Sequence, residues 1–221
     1  MIDVGWQIIM QKIIAFSLWG ADPKYCLGAI RNAQLAQKYF SEWKCHFYFD
    51  KSVPKGYINV LKDFSNVQIF DMASTSIFGA FWRFLSMEND TIVLSRDCDS
   101  RLSEREKHIV DDWLSSPELM CNVKDHINHY EFPILAGMWG LKGGLSREAI
   151  SGMERYWGTH AYTVDQHYLR DIVWPVYKNT CKNYGIKETV WMRETYANIG
   201  KDFIGQTYNE YDVPVYEGKL S

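Results

Sequence analysis

The chain has no excess of positive charge, no paired-cysteine pattern and no long apolar run, and each absence removes a class of function. Its 24 Lys and Arg stand against 27 Asp and Glu, a net charge of −3, so the basic footprint that nucleic-acid binding needs is missing. The five cysteines (Cys26, Cys45, Cys98, Cys121 and Cys181) are odd in number, widely spaced and without a C-x-x-C. Neither a disulfide framework nor a structural zinc site follows from them, and a reducing, cytoplasmic setting does. No stretch approaches the roughly 20 apolar residues of a membrane helix. The N-terminal stretch has neither the basic leader nor the apolar core of a signal peptide, so no integral membrane segment is expected.

Catalytic signatures are missing too. There is no G-x-G-x-x-G, no G-x-x-x-x-G-K-[ST] and no G-x-S-x-G, which removes the strongest signals for dinucleotide binding, P-loop chemistry and a hydrolase elbow. What is present is a chain of 221 residues, 47% hydrophobic and 15% aromatic. That length suits one α/β domain with a sizeable core, and the aromatic content suits a groove or pocket.

The run Lys12 to Leu18 is a short apolar strand closed by Trp19-Gly20, and residues 23–40 read as a helix with Pro23 in its first turn. Strands are expected at 43–49, 66–70 and 90–95, with helices at 54–63 and 78–87 between them. Strands alternating with helices argue a mainly parallel sheet with helices on both faces. Ligands of such sheets sit beyond the carboxyl ends of the strands. Further on, Ser103 and Glu106 form a capping-box pattern for a helix to about 115, a strand is expected near 118–123, Pro133 to Gly140 reads as a buried strand, helices follow at 146–156 and 164–174, and 181–221 is loop-rich.

Asp97-Cys98-Asp99 follows the apolar run Thr91 to Ser95. Alternate residues of an extended strand end point the same way, so both carboxylates can face one hard divalent cation and leave positions for water and phosphate oxygens. The other reading is a turn whose carboxylates cap the next helix. An EF-hand is excluded, because Leu102 stands at the required glycine and His108 at the required Glu. Arg96 and Arg101 flank the pair, either to grip phosphate or to neutralise the aspartates. Trp82-Arg83 either projects a polar head into the crevice or packs a helix into the core. His126 and His129, beside Asp125, have no third Cys or His near them for zinc. Asp165-Gln166, after Thr163 as a candidate N-cap, is either a helix cap or a catalytic carboxylate beside an amide.

Over residues 12–205 the chain resembles nucleotide-sugar glycosyltransferases of the A-type (GT-A) fold that carry a D-x-D. The likeness lies in Ile14 to Gly20, Phe81-Trp82-Arg83-Phe84-Leu85, Ser95 to Arg101, Pro133 to Gly140, Thr163 to Gln166 and Phe203-Ile204-Gly205-Gln206. Similar strings occur in bacterial members and in those of large algal viruses, including capsid-glycosylating chlorovirus members. The resemblance implies a single GT-A domain over 1–221, with a nucleotide-binding half (1–100) ending at the D-x-D and a sugar and acceptor half (101–221). It implies Mn²⁺ or Mg²⁺ on Asp97 and Asp99, bridging the diphosphate of a UDP-sugar. Phe16, Ser17, Leu18, Trp19, Gly20, Tyr25 and Arg83 would contact uridine, with Arg96 and Cys98 in the metal loop. Gly137, Met138 and Trp139 would line the sugar pocket, and Asp165 and Gln166 would carry the chemistry. The acceptor would be a glycan or glycoprotein hydroxyl, the outcome retaining, and the setting the cytoplasm, that of the host for a viral chain. One departure from many members is that no histidine follows His167 to complete the metal shell. Two other readings stand beside this one: a sugar-phosphate nucleotidyltransferase, and a non-catalytic module that binds carbohydrate or nucleotide-sugar.

Overall fold

The central strands carry continuous apolar runs, which only a sheet covered on both faces can bury. In the computed structural model, which describes residues 10–199 and 203–215, β1 (Gln11–Leu18) buries Ile13, Ile14, Ala15 and Phe16 in succession. It lies between β2 (Lys44–Phe49) and β4 (Thr91–Arg96), parallel to both, and β2 pairs in parallel with β3 (Val67–Asp71). Beyond β4 the direction changes. β6 (Trp139–Lys142) is antiparallel to β4 and to β5 (Met120–Lys124), and β7 (Cys181–Gly185) joins β5 in parallel. The seven-stranded order is β3-β2-β1-β4-β6-β5-β7. This is the expected α/β domain with a mainly parallel sheet.

Alternate residues of β1 feed opposite faces. Ile14, Phe16 and Leu18 pack with Ala29 and Ala33 of α1 (Pro23–Tyr39), Ile58 and Leu61 of α2 (Lys55–Lys62), and Ile109 and Trp113 of α3 (Glu104–Leu114). Met192 of α7 (Val190–Ile199) joins the same cluster. Ile13 and Ala15 pack on the other side with Phe81 and Phe84, with Ala149 and Met153 of α4 (Arg147–Glu154), and with Tyr168, Leu169 and Val173. Each fully buried Leu, Ile or Phe contributes about 1.5–3 kcal/mol, so both helical layers are held by the sheet rather than by their own propensity.

Several local expectations change. Residues 79–86 form a 3₁₀ helix, which seats Phe81 and Phe84 in the core while leaving Arg83 at the crevice. Of the strand expected from Pro133 to Gly140, only Trp139 and Gly140 lie in β6; residues 133–138 form bends and turns across the open end of the sheet. The helix from 164 is α5 (Val164–Tyr168), a π-helical turn (Leu169–Val173) and α6 (Trp174–Tyr177) in succession. Within the loop-rich region stand β7 and α7; β7 reads Cys-Lys-Asn-Tyr-Gly and has no apolar alternation to announce it.

Candidate functional site

The carboxyl ends of β1, β4 and β5 and the start of β6 open on one edge of the sheet, as their pairings require. There the chain leaves β4 as Asp97-Cys98-Asp99. The loop is tied down from the far end of the sequence: Tyr208 N donates to Asp99 O at 2.8 Å, and Ser100 pairs with Thr207 as an isolated antiparallel bridge. Asp212 anchors the same C-terminal stretch through Arg101 Nε (2.8 Å) and Arg31 Nε (3.1 Å).

Arg83 is the centre of the crevice. Its Nη1 pairs with Asp97 Oδ1, its Nη2 donates to Asp165 Oδ2 at 2.8 Å, and its backbone N–H donates to Ser17 Oγ at 3.0 Å. Burial works against the guanidinium's charge, yet Asp97 and Asp165 together hold its pKa above the ordinary value. Lys24, in the first turn of α1, places Nζ 3.1 Å from Asp99 Oδ2. Burial opposes that ammonium as well, and Asp99 raises its pKa. The Asp99 carboxyl is itself pushed above the usual aspartate value, first by burial and then by the neighbouring Asp97 charge, while Lys24 pulls the other way.

Two carboxylates so close that the charge of Asp97 raises the pKa of Asp99 fit a hard divalent cation, which would relieve their repulsion. The Asp97 side chain is 49% exposed and open to a ligand. Among the described residues no group of three His, Cys, Asp or Glu gathers for a metal, so the further ligands would be water and substrate oxygens. Gly137 packs against Asp97 so closely that a Cβ there would lie 1.9 Å from Asp97 Oδ2.

Asp165 is engaged at both oxygens, by Arg83 and by the backbone N–H of Gln166 at 2.9 Å. Gln166 turns its Oε1 to the Ala136 N–H at 3.2 Å, which fixes the turn before Gly137. Thr163 makes no capping bond; it sits at φ 65°, a left-handed conformation, and leads the chain into α5.

The other expected residues divide into crevice and core. Trp19 is 42% exposed, with an edge contact to Trp82 at 6.1 Å and a tilted one to Phe78 at 5.9 Å. Gly20, at φ 80°, donates its N–H to Ser52 Oγ at 2.7 Å, and Tyr25 is an exposed ring under Lys24 Nζ. Phe16 and Leu18 are core residues, Phe16 stacked on Phe47 at 4.7 Å. Cys98 is buried, and burial drives its thiol pKa up. Met138 is also buried, in the core cluster that holds Phe16 and Leu18 rather than lining an open pocket, and the missing side chain of Gly205 makes room for its Sδ.

Phe16, Leu18 and Cys98, expected at the nucleotide, are thus corrected to core positions, and further expectations change with them. Arg96 is buried and does not reach the crevice: it pairs with Glu106 and donates to Trp139 O at 2.9 Å, so its charge is matched inside the core. Glu106 is therefore not the return arm of a capping box, although Ser103 Oγ does accept from Glu106 N at 3.2 Å. Trp139 is fully buried against Phe84 at 5.6 Å, because β6 turns it into the core rather than toward a sugar.

His126 stacks on Phe203 at 4.4 Å and His129 meets the same ring edge-on at 5.5 Å. Burial lowers both imidazole pKa values, that of His129 to about 3. Lys24, Tyr208 and Asp212 carry no motif in the sequence. Only Lys24 has a local signal, its place just after the β1 tip.

No protein-family model matches the sequence, and no curated protein matches it. Among solved structures, S. aureus TarS (residues 1–349) is similar at a TM-score of 0.52 and 10% identity, over 86% of this chain and 65% of that chain. The 4-diphosphocytidyl-2C-methyl-D-erythritol synthase from Anaerococcus prevotii DSM 20548 is similar at a TM-score of 0.49 and 10% identity, over 87% of this chain and 99% of that one. The chain thus spans about two thirds of the TarS fragment it matches. The fold is GT-A-like. Among the described residues no helix is long and apolar enough to cross a membrane.

Proposed function

We propose that the protein is a glycosyltransferase that moves a sugar from a UDP-sugar to a hydroxyl of a glycan or glycoprotein, with Mn²⁺ or Mg²⁺ on Asp97 and Asp99. The observation that carries this reading is the buried Arg83 guanidinium, which joins the open first aspartate of the D-x-D to Asp165 at the strand ends of a GT-A-like sheet. A bound cation would neutralise charge that accumulates on a diphosphate leaving group.

The chain's own residues supply the rest. Lys24 adds a second positive charge beside Asp99, which would favour a diphosphate there. Trp19 offers an exposed ring face for a base, beside the Gly20 turn. Arg83 holds Asp97 and Asp165 at a set separation, so the leaving-group side and the sugar side of the crevice are positioned by one rigid fork. With both its oxygens accepting hydrogen bonds, Asp165 is better suited to stabilise positive charge at a reacting carbon than to attack it. That role accords with transfer in which the anomeric configuration is retained.

Titrating UDP into the wild type, Asp97→Ala and Asp99→Ala, with and without Mn²⁺, tests the site. Mn²⁺-dependent binding that both substitutions abolish is expected. Slow release of free sugar from a UDP-sugar without acceptor would mark an enzyme, since a pure binding module releases none. UDP binding indifferent to metal and to both substitutions would sink the D-x-D assignment.

A further inference from the structure

Four successive carbonyls of the D-x-D loop are all occupied by protein donors. Asp97 O accepts from Ser100 Oγ at 3.0 Å and Asp99 O from Tyr208 N at 2.8 Å. Cys98 O and Ser100 O each accept from Asn32 Nδ2, at 3.3 and 2.8 Å, and each also from Arg101 Nη1, at 3.3 and 2.9 Å. Each of these backbone oxygens is thus held by the protein itself, and the aim of the two carboxylates depends on the shape of the loop.

Asn32 contributes most to that shape. It lies inside α1 at 1% exposure, and its Oδ1 also accepts from the Leu102 N–H at 3.0 Å. One buried amide therefore serves two carbonyls and one N–H of the same loop. The chemistry is demanding: Asp would aim oxygen at two carbonyls, Leu would leave the buried Leu102 N–H unpaired and both carbonyls to Arg101 alone, and Gln is one methylene longer. One turn earlier on the same face, Gly28 permits the approach, since a Cβ there would lie 2.0 Å from Cys98 O. Asn is a weaker helix former than Ala, so the helix itself gives no reason for it at this position.

We infer that Asn32 is a positioning residue of the site. It does not touch the substrate; it holds the loop so that Asp97 and Asp99 both face the crevice. The inference rests on the reading of the D-x-D as the diphosphate site, and the experiment separates the two. UDP is titrated calorimetrically into the full chain with Mn²⁺, at a temperature where each variant is folded by its thermal melt. Asn66→Ala is the control: Asn66 is a buried amide that holds Ala33 O at 3.0 Å, away from the D-x-D.

The wild type and Asn66→Ala are expected to bind UDP alike, although Asn66→Ala melts lower. Asn32→Asp and Asn32→Ala are expected to bind about tenfold more weakly or worse, the penalty of two mis-set carboxylates. Asn32 variants that bind within about twofold of wild type would overturn the inference and leave the functional reading standing. Failure of the wild type to bind UDP would overturn both. Should Asn32→Asp not fold, Asn32→Ala decides, and if neither folds Asn32 is a structural residue and the inference is wrong.

Discussion

Arg83 donates from Nη2 to Asp165 Oδ2 at 2.8 Å across 82 positions of sequence, and the same guanidinium reaches Asp97 through Nη1. The two carboxylates belong to different halves of the chain, and the planar fork of the arginine holds both at once in a fixed geometry. Arg83→Lys keeps a positive charge but loses the fork. We expect kcat/KM for sugar transfer, or for donor hydrolysis, to fall by about 10²-fold, as for a misplacement on the order of 1 Å, while the far-UV spectrum stays native. Activity within a few-fold of wild type would remove Arg83 from its central place.

Gly137→Ala places a methyl where Asp97 Oδ2 now lies, 1.9 Å away. Asp97 must swing aside, since the turn at 133–138 is held by the Gln166 bond to Ala136 N. Mn²⁺-dependent UDP affinity should drop by about tenfold, roughly 1.4 kcal/mol, with a smaller change in melting temperature. Calorimetry beside a thermal melt reads both.

Trp19 and Trp139 should part company on substitution. Trp139→Ala leaves a large cavity beside Phe84 and should cost about 3–5 kcal/mol in denaturant unfolding. Trp19→Ala, at a 42% exposed ring, should change stability little and weaken UDP binding. An equal loss of stability in both would contradict the assignment of one to the core and the other to the crevice.

His46 makes the fold acid-sensitive. It is buried against Phe70, with Nδ1 3.0 Å from Ser86 Oγ, and burial lowers its pKa to about 4. The unfolded imidazole titrates near its ordinary value, about 6.5. Its folded pKa is thus depressed, so this contribution is present above about pH 6.5 and is lost as pH falls toward 4, on the order of 3 kcal/mol in all. Denaturant unfolding of wild type and His46→Phe at pH 7 and pH 5 checks this. The acid-induced loss should be smaller in the variant.

Much of the fold was legible because its signals are local. The apolar runs of β1 and β4, the proline opening α1 and the serine before α3 each act within a few residues, and each element stands where those signals put it. Asp97-x-Asp99 at the end of β4 was legible for the same reason, since a carboxylate pair at a strand tip is a pattern of neighbours. Where expectations failed, distant partners decided. β7 is a strand because β5 offers it an edge, and residues 133–138 are a turn because the chain must reverse to make β6 antiparallel.

Sequence by itself determined the class of fold, the position of the acidic pair and the edge of the sheet on which the crevice opens. Tertiary structure alone decided which charges meet. Arg96 and Arg83 are both arginines close to the D-x-D in sequence, yet β4 turns Arg96 inward to Glu106 while the 3₁₀ helix aims Arg83 at Asp97 and Asp165. Asn32 and Tyr208 became parts of the site only when α1 and the C-terminal stretch were laid against the loop. A buried ion pair or a satisfied carbonyl depends on distance in space and on exclusion of water, and neither is written in the spacing of residues along a chain.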